Sequence, residues 1–77
     1  MEIEIKYFGM IAEVTGKPSE VLEFSAGPIS RVKEHLFATY PELQQKNFRI
    51  AQDQELVADN APLNGREIAI LPPFAGG

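Results

Sequence analysis

The sequence predicts an α+β roll, a mixed sheet of four to five strands packed on one main helix. Three observations lead there. Apolar and polar residues alternate cleanly at the start of the chain, and short strand-like apolar runs follow toward its end. One central stretch instead repeats its apolar residues at spacings of three and four. The 77 residues hold one small domain, with no repeat and no linker dividing them.

Residues 2–8 alternate Glu2, Glu4 and Lys6 against Ile3, Ile5 and Tyr7, which reads as a half-buried strand with the second set inward. Phe8 then falls on the outward face. Residues 9–18 carry Gly9, Gly16 and Pro18 and read as a turn-rich connection. Residues 20–24 form a second strand with Leu22 and Phe24 on one face. Its economical partner is the first strand, in a hairpin.

The period then changes. Ile29, Val32, Leu36 and Tyr40 make one stripe of a helix opened by Gly27-Pro28, with Pro28 suited to the first helical position. Pro41 closes the helix, because the residue before proline avoids the α region. His35 lies off that stripe, on the solvent side. Residues 48–51, 55–58 and 67–71 are further short strands, and Asn64-Gly65 marks a turn before the last. The first and last strands are the most apolar, so both belong near the centre of the sheet, side by side and parallel.

Composition excludes several functions. There is no cysteine, so neither a disulfide nor a thiolate metal site can form, and one histidine leaves no His-rich metal site. Seven Lys/Arg against eleven Asp/Glu give a net charge of -4, which argues against nucleic acid as a partner. The apolar runs fall far short of the ~18 residues that span a bilayer, so no membrane partner is expected. The start, Met1-Glu2-Ile3-Glu4, is unlike a signal peptide, and the expected location is the cytoplasm. No nucleophile–base set or phosphate loop is present, and no catalytic residue and no bound metal are expected. Asp53 and Glu55 lie two apart but lack the ligand density of a calcium loop.

The anomaly is Leu71-Pro72-Pro73-Phe74-Ala75-Gly76-Gly77. Residues 1–71 read as the folded domain and 72–77 as an extended tail. Pro72 and Pro73 cannot donate to a sheet ladder and favour a stiff, extended backbone. The four residues after them reach about 13–14 Å when extended. Two terminal glycines arise by chance in about one chain in 200, and a frayed end is the plain alternative. Behind Pro-Pro, however, Gly76 and Gly77 make a tip narrow enough to thread another protein's active site. A terminal carboxylate has a pKa of about 3.3–3.7 and is a poor electrophile. A partner must therefore activate it, for instance as a mixed anhydride with AMP drawn from ATP. A sulfur donor or an amine then displaces the AMP.

Lys6-Tyr7-Phe8, the run Ala12-Glu13-Val14-Thr15-Gly16, Tyr40-Pro41-Glu42-Leu43 and the closing Leu71 to Gly77 resemble the small, sulfur-carrying subunit of molybdopterin synthase (MoaD type) across essentially the whole chain. That resemblance implies a ubiquitin-like β-grasp fold. It implies adenylation of Gly77 by a ubiquitin-activating-type adenylyltransferase that uses ATP, then conversion to a thiocarboxylate. Pro72, Pro73, Phe74, Ala75, Gly76 and Gly77 would insert into the large catalytic subunit, which builds the dithiolene of molybdopterin within a heterotetramer. Phe8, Leu56 and Leu71 match exposed apolar positions of the family and would form a partner patch at the base of the tail. Three positions depart from the family pattern: Ala12 replaces an Arg, Asp53 an Asn, and Arg66 an acidic residue. They leave the tail chemistry untouched but remove any ion pair made by that Arg. Related chemistries stay open, namely sulfur carriage for thiamine or tRNA thiolation and ubiquitin-like protein modification.

Overall fold

The computed structural model describes residues 1–73. In chain order it contains β1 (Glu2–Tyr7), α1 (Met10–Thr15), β2 (Ser19–Glu23), α2 (Ser30–Thr39), a 3₁₀ turn (Pro41–Gln45), β3 (Arg49–Gln52), β4 (Glu55–Leu56) and β5 (Glu67–Leu71). The five strands form one sheet in the order β2-β1-β5-β3-β4. β1 pairs antiparallel with β2 and parallel with β5, as the two apolar runs predict. β3 is antiparallel to both β5 and β4.

One face of the sheet is the core. Ile3, Ile5 and Tyr7 of β1, Ile68 and Ile70 of β5 and Ile50 of β3 point inward against Ile29, Val32, Leu36, Leu43, Ile11 and Leu63. Nine of these side chains are fully buried, each worth roughly 1.5–3 kcal/mol of hydrophobic stabilisation. Of the predicted helical stripe, Ile29, Val32 and Leu36 are fully buried and Tyr40, just past the helix, is half-buried, while His35 is exposed and sets its ring edge-on to Phe24 at 5.5 Å.

Residues 9–18 are not merely a connection. They contain α1, which buries Ile11 completely and most of Thr15, and Gly16 ends it in the left-handed conformation. Six residues are too few to hold a helix unaided; burial of Ile11 makes this one. Pro28 is likewise not the first residue of a helix. It lies two residues before α2, in a bridge opposite Pro62, where Ile29 N–H donates to Ala61 (2.8 Å) and Leu63 N–H to Gly27 (2.8 Å). Pairing with the 61–63 segment delays the helix. After Thr39 the chain tightens into the 3₁₀ turn, which places Leu43 in the core.

The β3–β4 hairpin turns on Asp53 and Gln54, both at positive φ (49° and 73°), as a two-residue hairpin requires. The Asp53 carboxylate accepts the Arg66 and Glu67 N–H groups (3.1 and 3.2 Å). Its charge therefore anchors the approach to β5. Buried Gln52 accepts the Asn64 and Gly65 N–H groups (both 2.9 Å) and donates to the Pro62 carbonyl (3.0 Å), fixing the predicted turn.

Candidate functional site

The outer face of the sheet follows from strand pairing, because directly opposed residues share a face. Phe8 follows β1, and its N–H extends the ladder by donating to the Ile70 carbonyl (3.2 Å). Tyr7 is opposite Ile70, which brings Phe8 beside Leu71. Leu71 is opposite Arg49 on β3. One row across the sheet thus reads Phe8, Leu71, Arg49. The neighbouring row reads Lys6, Ala69, Ala51, Leu56.

Phe8 and Leu56 are 43 % and 56 % exposed, and Leu71 is half-buried. All three expected patch residues lie on one face. Phe8 and Leu71 are immediate neighbours. Leu56 stands three strands from Phe8, about 14 Å at the usual strand spacing, with only the small Ala51 and Ala69 between in its own row. The sequence reading missed Arg49, although its alternation with buried Ile50 marks it as outward. The guanidinium stands in the apolar row beside the strand that leads to the tail. Val21, 61 % exposed, is on the same face but opposite Glu4, away from that strand's exit.

β5 ends at Leu71, Pro72 is half-buried and Pro73 is exposed. The expected tail residues Phe74, Ala75, Gly76 and Gly77 lie outside the described residues. Among the described residues no group of His, Asp and Glu is placed to hold a metal ion. No helix among them is long and apolar enough to cross a membrane.

On the inner side, a polar cluster that spacing did not reveal ties the hairpin to the end of α2. The Glu20 carboxylate accepts the hydroxyls of Tyr7 (2.5 Å) and Tyr40 (2.7 Å), and Lys17 approaches its other oxygen at 3.4 Å. The two tyrosine rings meet edge to face, with centroids 6.2 Å apart. Burial works against the charge on Glu20, but the two phenol hydrogen bonds and the Lys17 ammonium outweigh it and hold the carboxyl below its ordinary pKa. Burial first, and then the bond to Glu20, raise both tyrosines. Hydrogen bonding to Tyr40 and the nearby Glu20 charge raise Lys17. All four groups keep their usual charges at neutral pH, so the cluster is a fixed clamp.

A five-stranded mixed sheet with parallel β1 and β5 next to each other, crossed by one main helix, defines a ubiquitin-like β-grasp protein. Solved structures agree on the fold. SAMP1 from Haloferax volcanii superposes with a TM-score of 0.81 at 21 % identity, covering 100 % of both chains. A Pyrococcus furiosus protein provisionally described as subunit 1 of molybdopterin converting factor gives 0.87 at 17 % identity, over 96 % of this chain and 99 % of that one.

Within that class, residues 5–77 match the ThiS family, and the chain belongs to it. The molybdopterin synthase sulfur carrier subunits of Caenorhabditis elegans and Arabidopsis thaliana are each 30 % identical to it. Those alignments cover all of this chain, with 99 % of the first relative and 84 % of the second.

Proposed function

We propose that this chain is the sulfur carrier subunit of a molybdopterin synthase, with Gly77 as the group that is loaded and unloaded. The observation that carries the reading is the apolar row of Phe8 and Leu71 at the end of β5, where the Pro72-Pro73 tail begins. The family and its two sulfur-carrier relatives support the same reading.

The chemistry runs through the terminal carboxylate. An adenylyltransferase partner catalyses attack of one carboxylate oxygen on the α-phosphorus of ATP, with loss of pyrophosphate. A sulfur nucleophile at the oxidation level of sulfide then attacks the carbonyl carbon and expels AMP, leaving a thiocarboxylate. Docked by Phe8, Leu56 and Leu71, the domain delivers that sulfur through the tail to a large catalytic subunit, which installs it in the dithiolene. This chain contributes no catalytic group; it is substrate and carrier.

Intact mass of the chain after incubation with ATP, a sulfur donor and the adenylyltransferase of its host tests this directly. A gain equal to exchanging one oxygen for sulfur, mapped to Gly77, is expected. An unchanged Gly77 with a demonstrably active enzyme refutes the proposal. Loading together with covalent adducts on cellular lysines would indicate a protein modifier. Loading together with transfer only to thiazole or tRNA thiolation enzymes would change the product and keep the carrier chemistry.

A further inference from the structure

Gly9 occupies a conformation, φ 57° and ψ -135°, that side chains of L-residues avoid. It is held there from both sides. Phe8 N–H bonds to Ile70, the Phe8 carbonyl accepts Ile11 N–H (3.1 Å), and the Gly9 carbonyl accepts Ala12 N–H (3.1 Å). A Cβ built on Gly9 would lie 2.9 Å from Cγ of Pro72 and 3.8 Å from its Cδ. Ordinary carbon contacts are about 3.5–4.0 Å, so the ring and a side chain at position 9 cannot both keep their places. The obstructing atom belongs to a closed pyrrolidine ring, which can give only by changing its pucker or moving the backbone, and cannot swing clear as the end of a long side chain would.

Gly16 shows that this is not a general property of the turn glycines. It too has positive φ (79°), but a Cβ there meets nothing within 4 Å. Its glycine answers to the helix end alone. At Gly9 a second requirement is added, and it points at the first residue after β5.

We infer that Gly9 is a positioning residue for the tail: its bare Cα seats the Pro72 ring and so fixes the line along which the chain leaves the sheet. The seat belongs to the turn after β1, the ring to the first residue after the neighbouring β5, and the parallel β1–β5 pairing brings the two together. A methyl at position 9 must displace the ring by roughly 0.5–1 Å to restore a normal contact. Errors of that size in presenting a reacting group cost up to about 100-fold in rate. The consequence for sulfur loading rests on the carrier reading above; the positioning itself does not.

The test uses the full chain. Because it contains no cysteine, Ala75→Cys supplies a single site for a nitroxide, and the amides broadened by that label report where the tail runs. We expect Gly9→Ala to change the set of broadened amides, and Gly16→Ala, at a left-handed position with a smaller backbone penalty, to leave it unchanged. Pro72→Ala, which removes Cγ, should change it as well. Adding Pro72→Ala to Gly9→Ala should do little more, because both act at one contact, the first by crowding it and the second by removing the ring atom. Sulfur loading of Gly9→Ala, without the label, should slow about tenfold relative to Gly16→Ala.

An unchanged broadening pattern in Gly9→Ala overturns the inference, and so does an equal change in Gly16→Ala. Should Gly9→Ala fail to fold, Pro72→Ala decides alone, and an unchanged pattern there is equally fatal. If the native chain loads no sulfur, the carrier reading fails while the broadening still decides this inference.

Discussion

Truncating the outer face should separate docking from folding. Phe8 is 43 % exposed and Leu56 56 % exposed, so roughly half of each side chain is left for a partner to cover. Full burial of such a residue contributes about 1.5–3 kcal/mol, which leaves about 1 kcal/mol for each at the interface. Phe8→Ala or Leu56→Ala should therefore weaken binding to the large synthase subunit about fivefold. The two sites are about 14 Å apart across the sheet, far enough for their effects to add, and the double variant should lose about 30-fold. Each substitution also removes the half already packed in the domain, about 1 kcal/mol or less, a fall in Tm of at most about 8 °C. Val21→Ala is the control. Val21 is the most exposed of the three at 61 % and shares their face, but it lies opposite Glu4, away from the end of β5; it should leave binding unchanged. Titration calorimetry of the native chain and the four variants against the large subunit reads all of this. A folded double variant that binds within twofold of the native chain would refute the docking face, as would a Val21→Ala loss equal to that of Leu56→Ala.

Deleting Gly77 should abolish the sulfur mass gain while moving thermal stability by no more than about 0.5 kcal/mol; a large loss of Tm would make the tail structural. Glu20 titrates below its ordinary pKa of 4.5 in the folded chain, so its contribution is present above that value and disappears as pH falls through the depressed one. Glu20→Gln should cost about 1–2 kcal/mol at pH 7 and flatten the acid side of a denaturation curve taken from pH 6 to pH 2 (a range of about four units around the carboxylate pKa); an equally steep curve in the variant would place the acid sensitivity elsewhere. Ile68→Ala, at a fully buried position on the central strand, should cost about 2–5 kcal/mol. That is a large part of the roughly 4–11 kcal/mol expected for a chain of this length, and chemical denaturation measures it.

Strong periodic signals carried most of the fold. The alternation in β1 names the residues that face the core, and the apolar character of β1 and β5 places the two strands side by side. The stripe Ile29, Val32, Leu36 likewise names the buried face of α2. What failed depended on distant partners. In α1 only Ile11 and Thr15 are buried, too little periodicity for a helix to declare itself beside Gly9, Gly16 and Pro18. Pro28 obeyed a local preference until the 61–63 segment supplied competing backbone partners. Glu20, Tyr7 and Tyr40 meet across separations of 13 and 20 residues, and no spacing rule reaches that far. At the candidate site, Phe8 was legible as an outward apolar residue at a strand end, whereas Leu71 and Leu56 came only from the family resemblance. The adjacency of Phe8 and Leu71, and the arrival of Arg49 in the same row, are products of register, which only the paired strands set.

β5 explains why the tail belongs where it does. It is the middle strand of five, hydrogen-bonded along both edges by β1 and β3. Its inward residues, Ile68 and Ile70, are fully buried in the core, while Ala69 and Leu71 face outward. One five-residue strand thus anchors the core, supplies part of the apolar face and ends where the tail starts. An edge strand could end in the same residues as easily, but fraying there would move the outer apolar row and Pro72 independently of each other. From the centre, Ile70 and Leu71 are held by the β1 and β3 ladders, and Pro72 follows directly from them. The packing that stabilises this small domain therefore also fixes where the chain leaves the sheet at Pro72, which is what the proposed carrier role asks of it.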